Sequence, residues 1–207
     1  MVGSKNNAIH SNTLIIDSQG WLDGARVVVS PNCDDRQPEC VADMVVIHNI
    51  HLPPQPAGAT EFGGPDIERL FTNSLNITDH ACYAELAQLR VSAHFLIRRD
   101  GEVLQFVSCN QRAWHAGVSN WQGRERCNDF SIGIEIEGSD FVPFTAIQYQ
   151  SLDALLLAIQ ARYPIVHVVG HSEIAPERKT DPGPFFVWEK RPQSILELRQ
   201  TGYTSES

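Results

Sequence analysis

A chain of 207 residues, 42% hydrophobic and 20% charged, is long enough to bury a sizeable core and short enough that one globular domain is expected. Sixteen Lys and Arg against 25 Asp and Glu leave a formal charge of −9. The field of the whole molecule therefore repels nucleic acid and anionic membrane surfaces, and any anionic ligand must be met by a local basic patch.

The N-terminus has no apolar run longer than Leu14-Ile15-Ile16, which predicts no signal peptide, and no stretch approaches the roughly 18 apolar residues of a membrane span. Residues 1–18 read as a tail, 19–199 as the folded domain and 200–207 as a second tail. The five cysteines, Cys33, Cys40, Cys82, Cys109 and Cys127, match no zinc-ribbon or CxxC spacing. Reduced thiols in the cytosol are expected, with Cys33 and Cys40 pairing only in an oxidising compartment.

The stretch VVIHNIHLPP (45–54) opens on branched aliphatics and closes on two prolines, which predicts a buried strand over 44–50 with His48 and Asn49 at its exit. GPDIERLFTN places Pro65 at a first helical position with Ile67, Leu70 and Phe71 at helical spacing, and TDHACYAELAQL (78–89) predicts a second short helix. SAHFLIRRDGEVLQFV reads as a hairpin around Asp100-Gly101. SIGIEIEG (131–138) alternates strictly, with Ile132, Ile134 and Ile136 on one face and Glu135 and Glu137 on the other. TAIQYQSLDALLLAIQARYP opens with a capping-box pattern at Thr145 and Gln148, carries Leu152, Leu155, Leu156 and Ile159 on one side, and stops at Pro164. IVHVVGH (165–171) is a further buried strand, followed by the proline-rich loop SEIAPERKTDPGP. Strands and helices alternating irregularly around a hairpin predict a mixed sheet packed by helices.

His48 and His171 each close an apolar strand, and Asp181 follows His171 by ten residues. Two imidazoles and a carboxylate make a three-ligand set that leaves zinc an open position, as hydrolysis requires. A core histidine satisfied by backbone is the plainer reading of each alone, and the spacing does not decide. Lys179, two residues before Asp181, points the same way along an extended chain, where an ammonium could stabilise an oxyanion. Glu135 is a possible proton acceptor on the face opposite the isoleucines; a solvated strand face is its plainer reading. His94 reads as a core histidine, and His51, three beyond His48, faces away from the metal.

VVIHNIHLPP, EFGGP, RVSAHFLIRRDGEVLQFV, RAWHAGVSNWQGRERCNDFSIGIEIEG and GHSEIAPERKTDPGP together resemble the zinc-dependent N-acetylmuramoyl-L-alanine amidases. Among these the likeness is to the cytoplasmic 1,6-anhydro-N-acetylmuramyl-L-alanine amidases of peptidoglycan recycling (the AmpD type), from about residue 20 to residue 190. The resemblance implies an α/β (α+β) fold, a mixed central β-sheet flanked by helices, shared with phage amidase lysozymes and peptidoglycan-recognition proteins. It implies His48, His171 and Asp181 as zinc ligands and Glu135 and Lys179 as the catalytic pair. It also implies that Arg90 and Arg126 meet the carboxylates of the peptide while Asn49, Trp114 and His115 line the groove. The activity implied is hydrolysis of the amide between (1,6-anhydro)-N-acetylmuramic acid and L-alanine of the stem peptide. The partner is then a small muropeptide, with no nucleic acid or membrane, and the enzyme a cytosolic monomer.

Two departures from the pattern bear on the site. The insertion QPAGAT (55–60) lengthens the loop after the first ligand, and Ala93 stands where phage relatives carry a tyrosine, which leaves proton transfer to Glu135. Two rival readings are weaker. A muropeptide-binding module usually lacks a metal ligand, and a non-haem iron oxygenase would place its carboxylate near the first histidine and have no use for Lys179.

Overall fold

The computed structural model describes residues 14–54 and 61–200, so the QPAGAT insertion and the outer part of both tails lie outside the described residues. In chain order the strands are β1 (Arg26–Val27), β2 (Cys33–Asp35), β3 (Met44–Ile50), β4 (Phe95–Ile97), β5 (Val103–Gln105), β6 (Gln111–Ala113), β7 (Asn120–Trp121), β8 (Arg124–Glu125), β9 (Ser131–Glu137) and β10 (His167–Gly170). The helices are α1 (Asp66–Phe71), α2 (Tyr83–Leu86), α3 (Ala146–Arg162), α4 (His171–Ile174) and α5 (Gln193–Gln200). Six strands form one mixed sheet in the order β1-β5-β4-β9-β3-β10. The β4–β5 pair is antiparallel and every other neighbouring pair is parallel. No helix among the described residues is long and apolar enough to cross a membrane, and all five cysteines are free thiols.

Side-chain alternation along the central strands decides what each face meets. Val45 and Ile47 of β3, Ile132, Ile134 and Ile136 of β9, and Phe95 and Ile97 of β4 all turn to one face, where Leu152, Leu155, Leu156 and Ile159 of α3 cover them. Each of these helix side chains is almost wholly buried. Burial of this kind contributes roughly 1.5–3 kcal/mol per side chain, more than the roughly 0.5–1 kcal/mol of rotamer entropy it removes. The helix starts where expected: Thr145 Oγ1 accepts from the Gln148 N–H at 3.2 Å while Gln148 Oε1 accepts from the Thr145 N–H at 3.0 Å.

The opposite face is covered in two separate patches. Leu96 and Leu104 pack under α1 and α2 with Ile67, Leu70, Phe71 and Tyr83. Met44, Val46 and Val169 pack under Ala116, Trp121, Phe130 and Ile174. His48 and Glu135 share this second face, and a cleft opens onto them.

Several elements differ in detail from the sequence reading. Pro65 is the cap residue and α1 begins at Asp66. The second helix shrinks to the single turn Tyr83–Leu86. The hairpin uses a three-residue connection in which Gly101 alone takes a positive φ (+87°), with the Arg98 N–H bonded to the Glu102 carbonyl at 2.9 Å. This is the turn-plus-bulge loop rather than a two-residue turn needing positive φ at both positions. β10 ends at Gly170, and His171 begins α4 instead of closing the strand. The fold also starts earlier than residue 19: Ile16 is buried and bridges to Leu22, and Asp17 Oδ1 accepts from the N–H groups of Gln19 and Trp21. Glu135 and Glu137 do not lie on a solvated face, because β9 is central and buried along its whole length.

Candidate metal centre and active-site cleft

Strand register assembles the centre. β3 and β9 run parallel with His48 directly beside Glu135, and β10 on the other side of β3 pairs Gly170 with Ile47, so His171 arrives level with His48. The loop after α4 then returns Asp181 to the same point. His48 Nδ1 lies 2.9 Å from His171 Nδ1 and 2.9 Å from Asp181 Oδ2, and His171 Nδ1 lies 3.1 Å from Asp181 Oδ2. Among the described residues these three form a group able to hold a metal ion. Three lone-pair atoms at such separations repel one another unless a cation sits among them, and two imidazoles with one carboxylate are the donor types zinc takes. Burial holds the imidazolium pKa of His48 down at about 4, which keeps it neutral as a ligand must be.

The two glutamates of β9 separate structure from chemistry. Glu137 is buried with its oxygens committed to Arg98 Nη1 at 3.0 Å and to the N–H groups of Gly63 at 2.8 Å and Arg99 at 3.1 Å. Two residues earlier on the same face, Glu135 Oε2 is buried with no hydrogen-bond partner among the described residues. Burial first, and then the charge of Asp181, raise the Glu135 pKa well above the ordinary carboxylate value against the opposing pull of Lys179. An unsatisfied buried carboxylate is too costly to keep for structure, so this oxygen is set for a group that comes and goes. The cleft around it, about 210 Å³, is lined by the apolar Leu70, Phe71, Leu89 and Val91 and by His48, His171, Lys179 and Asp181.

Comparison with known proteins fits this geometry. The family model for N-acetylmuramoyl-L-alanine amidase matches residues 37–184. The chain belongs to the N-acetylmuramoyl-L-alanine amidase family. It is 55% identical over 172 residues to the 1,6-anhydro-N-acetylmuramyl-L-alanine amidase AmpD of Escherichia coli K12, covering 82% of this chain and 91% of that one. A crystal structure of a selenomethionine AmpD derivative superimposes with a TM-score of 0.80 at 52% identity, covering 89% of this chain and 99% of the other. The E. coli amidase AmiD, in complex with anhydro-N-acetylmuramic acid-L-Ala-D-gamma-Glu-L-Lys, gives 0.50 at 28% identity, over 86% of this chain and 63% of AmiD.

Of the remaining residues singled out from the sequence of this amidase, only some reach the cleft. Lys179 and Asn49 both line the cleft, and Asn49 Nδ2 donates to Asp140 Oδ1 at 2.7 Å. His115 lies on the cleft wall and also hydrogen-bonds to His48. Trp114 gives its indole N–H to Asp34 Oδ1 at 3.1 Å, so that donor is already used. Arg90 is exposed, with its guanidinium turned back onto the carbonyls of Ala87 and Leu89. Arg126, in the left-handed region at φ 60°, pairs with Asp129 Oδ2 at 3.1 Å and borders a second, larger groove with Val118, Ile174 and Arg178. Ala93 is fully buried in the patch under α1 and α2. His94 is the core histidine expected, its Nδ1 accepting from the Gly133 N–H at 3.0 Å and its Nε2 donating to the Gln111 carbonyl at 3.1 Å. The sequence reading missed Asn128, Ser131 and Asp140, which touch residues of the site. Asn128 and Asp140 are small polar residues outside the strands with no periodicity to mark them, and Ser131, although it shares a strand face with Glu135, carries no signal that sets it apart from an ordinary strand serine.

Proposed function

We propose that this amidase holds zinc on His48, His171 and Asp181 and hydrolyses the amide joining 1,6-anhydro-N-acetylmuramic acid to the L-alanine of the stem peptide. Its main support is the convergence of three donor atoms within 3.1 Å of one another beside a buried carboxylate oxygen that the protein leaves unsatisfied. When bound, zinc supplies Lewis acidity, polarising the scissile carbonyl and lowering the pKa of a water to roughly 7.

The residues of the chain do the rest. Glu135, made more basic by burial and bordering the cleft with its Oε2 unpaired, takes the proton of the attacking water and returns it to the departing amine. Lys179 brings an ammonium to the same cleft, where it balances the negative charge that develops on the carbonyl oxygen. The apolar lining of Leu70, Phe71, Leu89 and Val91 keeps bulk water from weakening both interactions. Asn49, Trp114 and His115 are proposed to border the substrate, with Arg90 and Arg126 reaching the carboxylates of its stem. The identity of the sugar rests on the relatives: the 55% identical protein is named for the 1,6-anhydro form, and AmiD was captured with an anhydro-muramoyl tripeptide. A monomer working in the cytosol on free fragments, through a single catalytic domain ending near residue 199, completes the proposal.

Mass spectrometry of a defined anhydro-muropeptide incubated with the zinc-loaded protein tests it, with free anhydro-sugar and free peptide as the expected products. Asp181→Ala should lose zinc and activity together, whereas Glu135→Ala should keep its zinc and turn over ~100-fold or more slowly. Intact substrate with zinc-loaded wild type would indicate a binding module, and loss of zinc from Glu135→Ala would overturn the division of roles.

A further inference from the structure

The hydrogen bonds behind the metal centre fix where each proton sits. Ser131 is wholly buried, and its hydroxyl lies 2.5 Å from the Cys127 carbonyl, a contact that only Oγ–H donation explains. Its Oγ is then free only to accept, so His115 Nε2, 3.2 Å away, carries a proton and donates it. A neutral His115 with its proton on Nε2 has a bare Nδ1, which lies 3.0 Å from His48 Nε2. His48 must be the donor in that bond, and its own Nδ1, facing His171 and Asp181, is left without a proton.

The next residue does the same for the other histidine. The Ala116 carbonyl accepts from His171 Nε2 at 3.0 Å, which leaves His171 Nδ1 bare as well. Residues 115 and 116 are themselves held by one side chain, since Asn128 Oδ1 accepts from both of their N–H groups at 3.1 and 2.8 Å. Gly133 in β9 makes room: a Cβ there would lie 2.5 Å from the His115 ring, so the sheet gives up a side chain at this point to let the imidazole in.

We propose that His115 is a positioning residue of the metal centre, its Nδ1 accepting from His48 Nε2–H and its own tautomer set by Ser131, so that the His48 lone pair is presented to the metal. This rests on the zinc reading above, and it gives His115 a role distinct from contact with substrate. Partners of this kind typically change metal affinity by 10–100-fold.

The test is zinc affinity, measured by competition with a chromogenic chelator on the full chain. His115→Ala should weaken zinc binding about 10–100-fold. His115→Asn, which puts an amide oxygen where Nδ1 was, should recover most of that loss, a rescue that simple filling of space would not produce. Ser131→Ala, which frees the His115 tautomer, should weaken binding by a smaller factor. Nitrogen-15 NMR of histidine-labelled, zinc-loaded wild type supplies a readout that no substitution can confound, with His48 and His115 both expected to be protonated at Nε2. A His115 proton on Nδ1, or zinc affinity unchanged in a folded His115→Ala, would overturn the inference. Failure of wild type itself to bind zinc would instead overturn the metal reading.

Discussion

His48, His94 and His115 lie close together on one face of the sheet, and what each can do is set by the partners of its two nitrogens. The sequence marks His48 because it interrupts an apolar run, and it marks His94 as core, which its two backbone bonds bear out. The contact of His115 with His48 is not legible, because residues 67 apart in sequence meet only through the fold. Glu135 and Glu137 show the same limit: alternation places them on one face, but whether that face meets water depends on what the rest of the chain packs over it. His94 carries a measurable consequence. Burial, aided by the guanidinium of Arg36, lowers its pKa from 6.5 to about 3. The unfolded chain therefore takes up a proton near pH 6.5 that the folded state refuses, so this stabilisation is complete above pH 6.5 and is lost steadily as the pH falls towards about 3. The slope is about 1.4 kcal/mol per pH unit, on the order of 5 kcal/mol over the whole window. Denaturant unfolding of the metal-free protein between pH 6.5 and 4.5 should show a steeper loss for wild type than for His94→Gln; equal slopes would mean that His94 takes up its proton in the folded state too.

At the scale of elements, long periodic segments were legible and short ones were not. β3, β9 and α3 appear where their patterns put them, since seven or more residues of consistent burial overdetermine the conformation. Strands of two residues, such as β1, β7 and β8, exist only because a partner is there to pair with, and no local pattern announces them. The order of the sheet was hidden for the same reason, and with it the register that sets Glu135 beside His48. Gln148 joins the two levels. It closes the capping box of α3, and its Nε2 also reaches the carbonyls of Glu137 at 2.8 Å and Ile97 at 3.4 Å, tying the helix start to the ends of β9 and β4. Thr145→Ala removes the cap together with the hydroxyl's bond to the Arg99 carbonyl at 2.9 Å and should cost about 1–2 kcal/mol. Gln148→Ala also strips a partner from a buried carbonyl and should cost on the order of 2–3 kcal/mol. Denaturant midpoints at constant m-value would separate the two, and equal losses would show that Gln148 acts as a cap and nothing more.

At the scale of the whole molecule, a formal charge of −9 opposes the approach of an acidic peptide, so binding depends on where the few free cations stand. Composition foretold this need for a local basic patch but not its place. Of the two arginines proposed for the peptide, Arg90 turns one nitrogen, Nη1, back onto the carbonyls of Ala87 and Leu89. Arg126, with 68% of its side chain exposed, keeps most of its guanidinium available, although Asp129 holds one edge. Because Arg126 also borders the larger groove, we propose it as the stronger partner for a stem carboxylate. An exposed pair of this kind contributes about 1 kcal/mol or less in salt, and somewhat more if the ligand excludes water from it. Arg126→Ala should accordingly raise KM about 3–10-fold for an anhydro-muropeptide with a full acidic stem, leave kcat close to wild type, and leave kinetics on the derivative truncated after L-alanine unchanged. Arg90→Ala should have the smaller effect on the long substrate. The loss should also shrink as ionic strength rises from 0.01 to 1 M, roughly the range over which the Debye length falls from 30 to 3 Å. A KM change of equal size on both substrates would show that Arg126 supports the loop it stands on and does not meet the peptide.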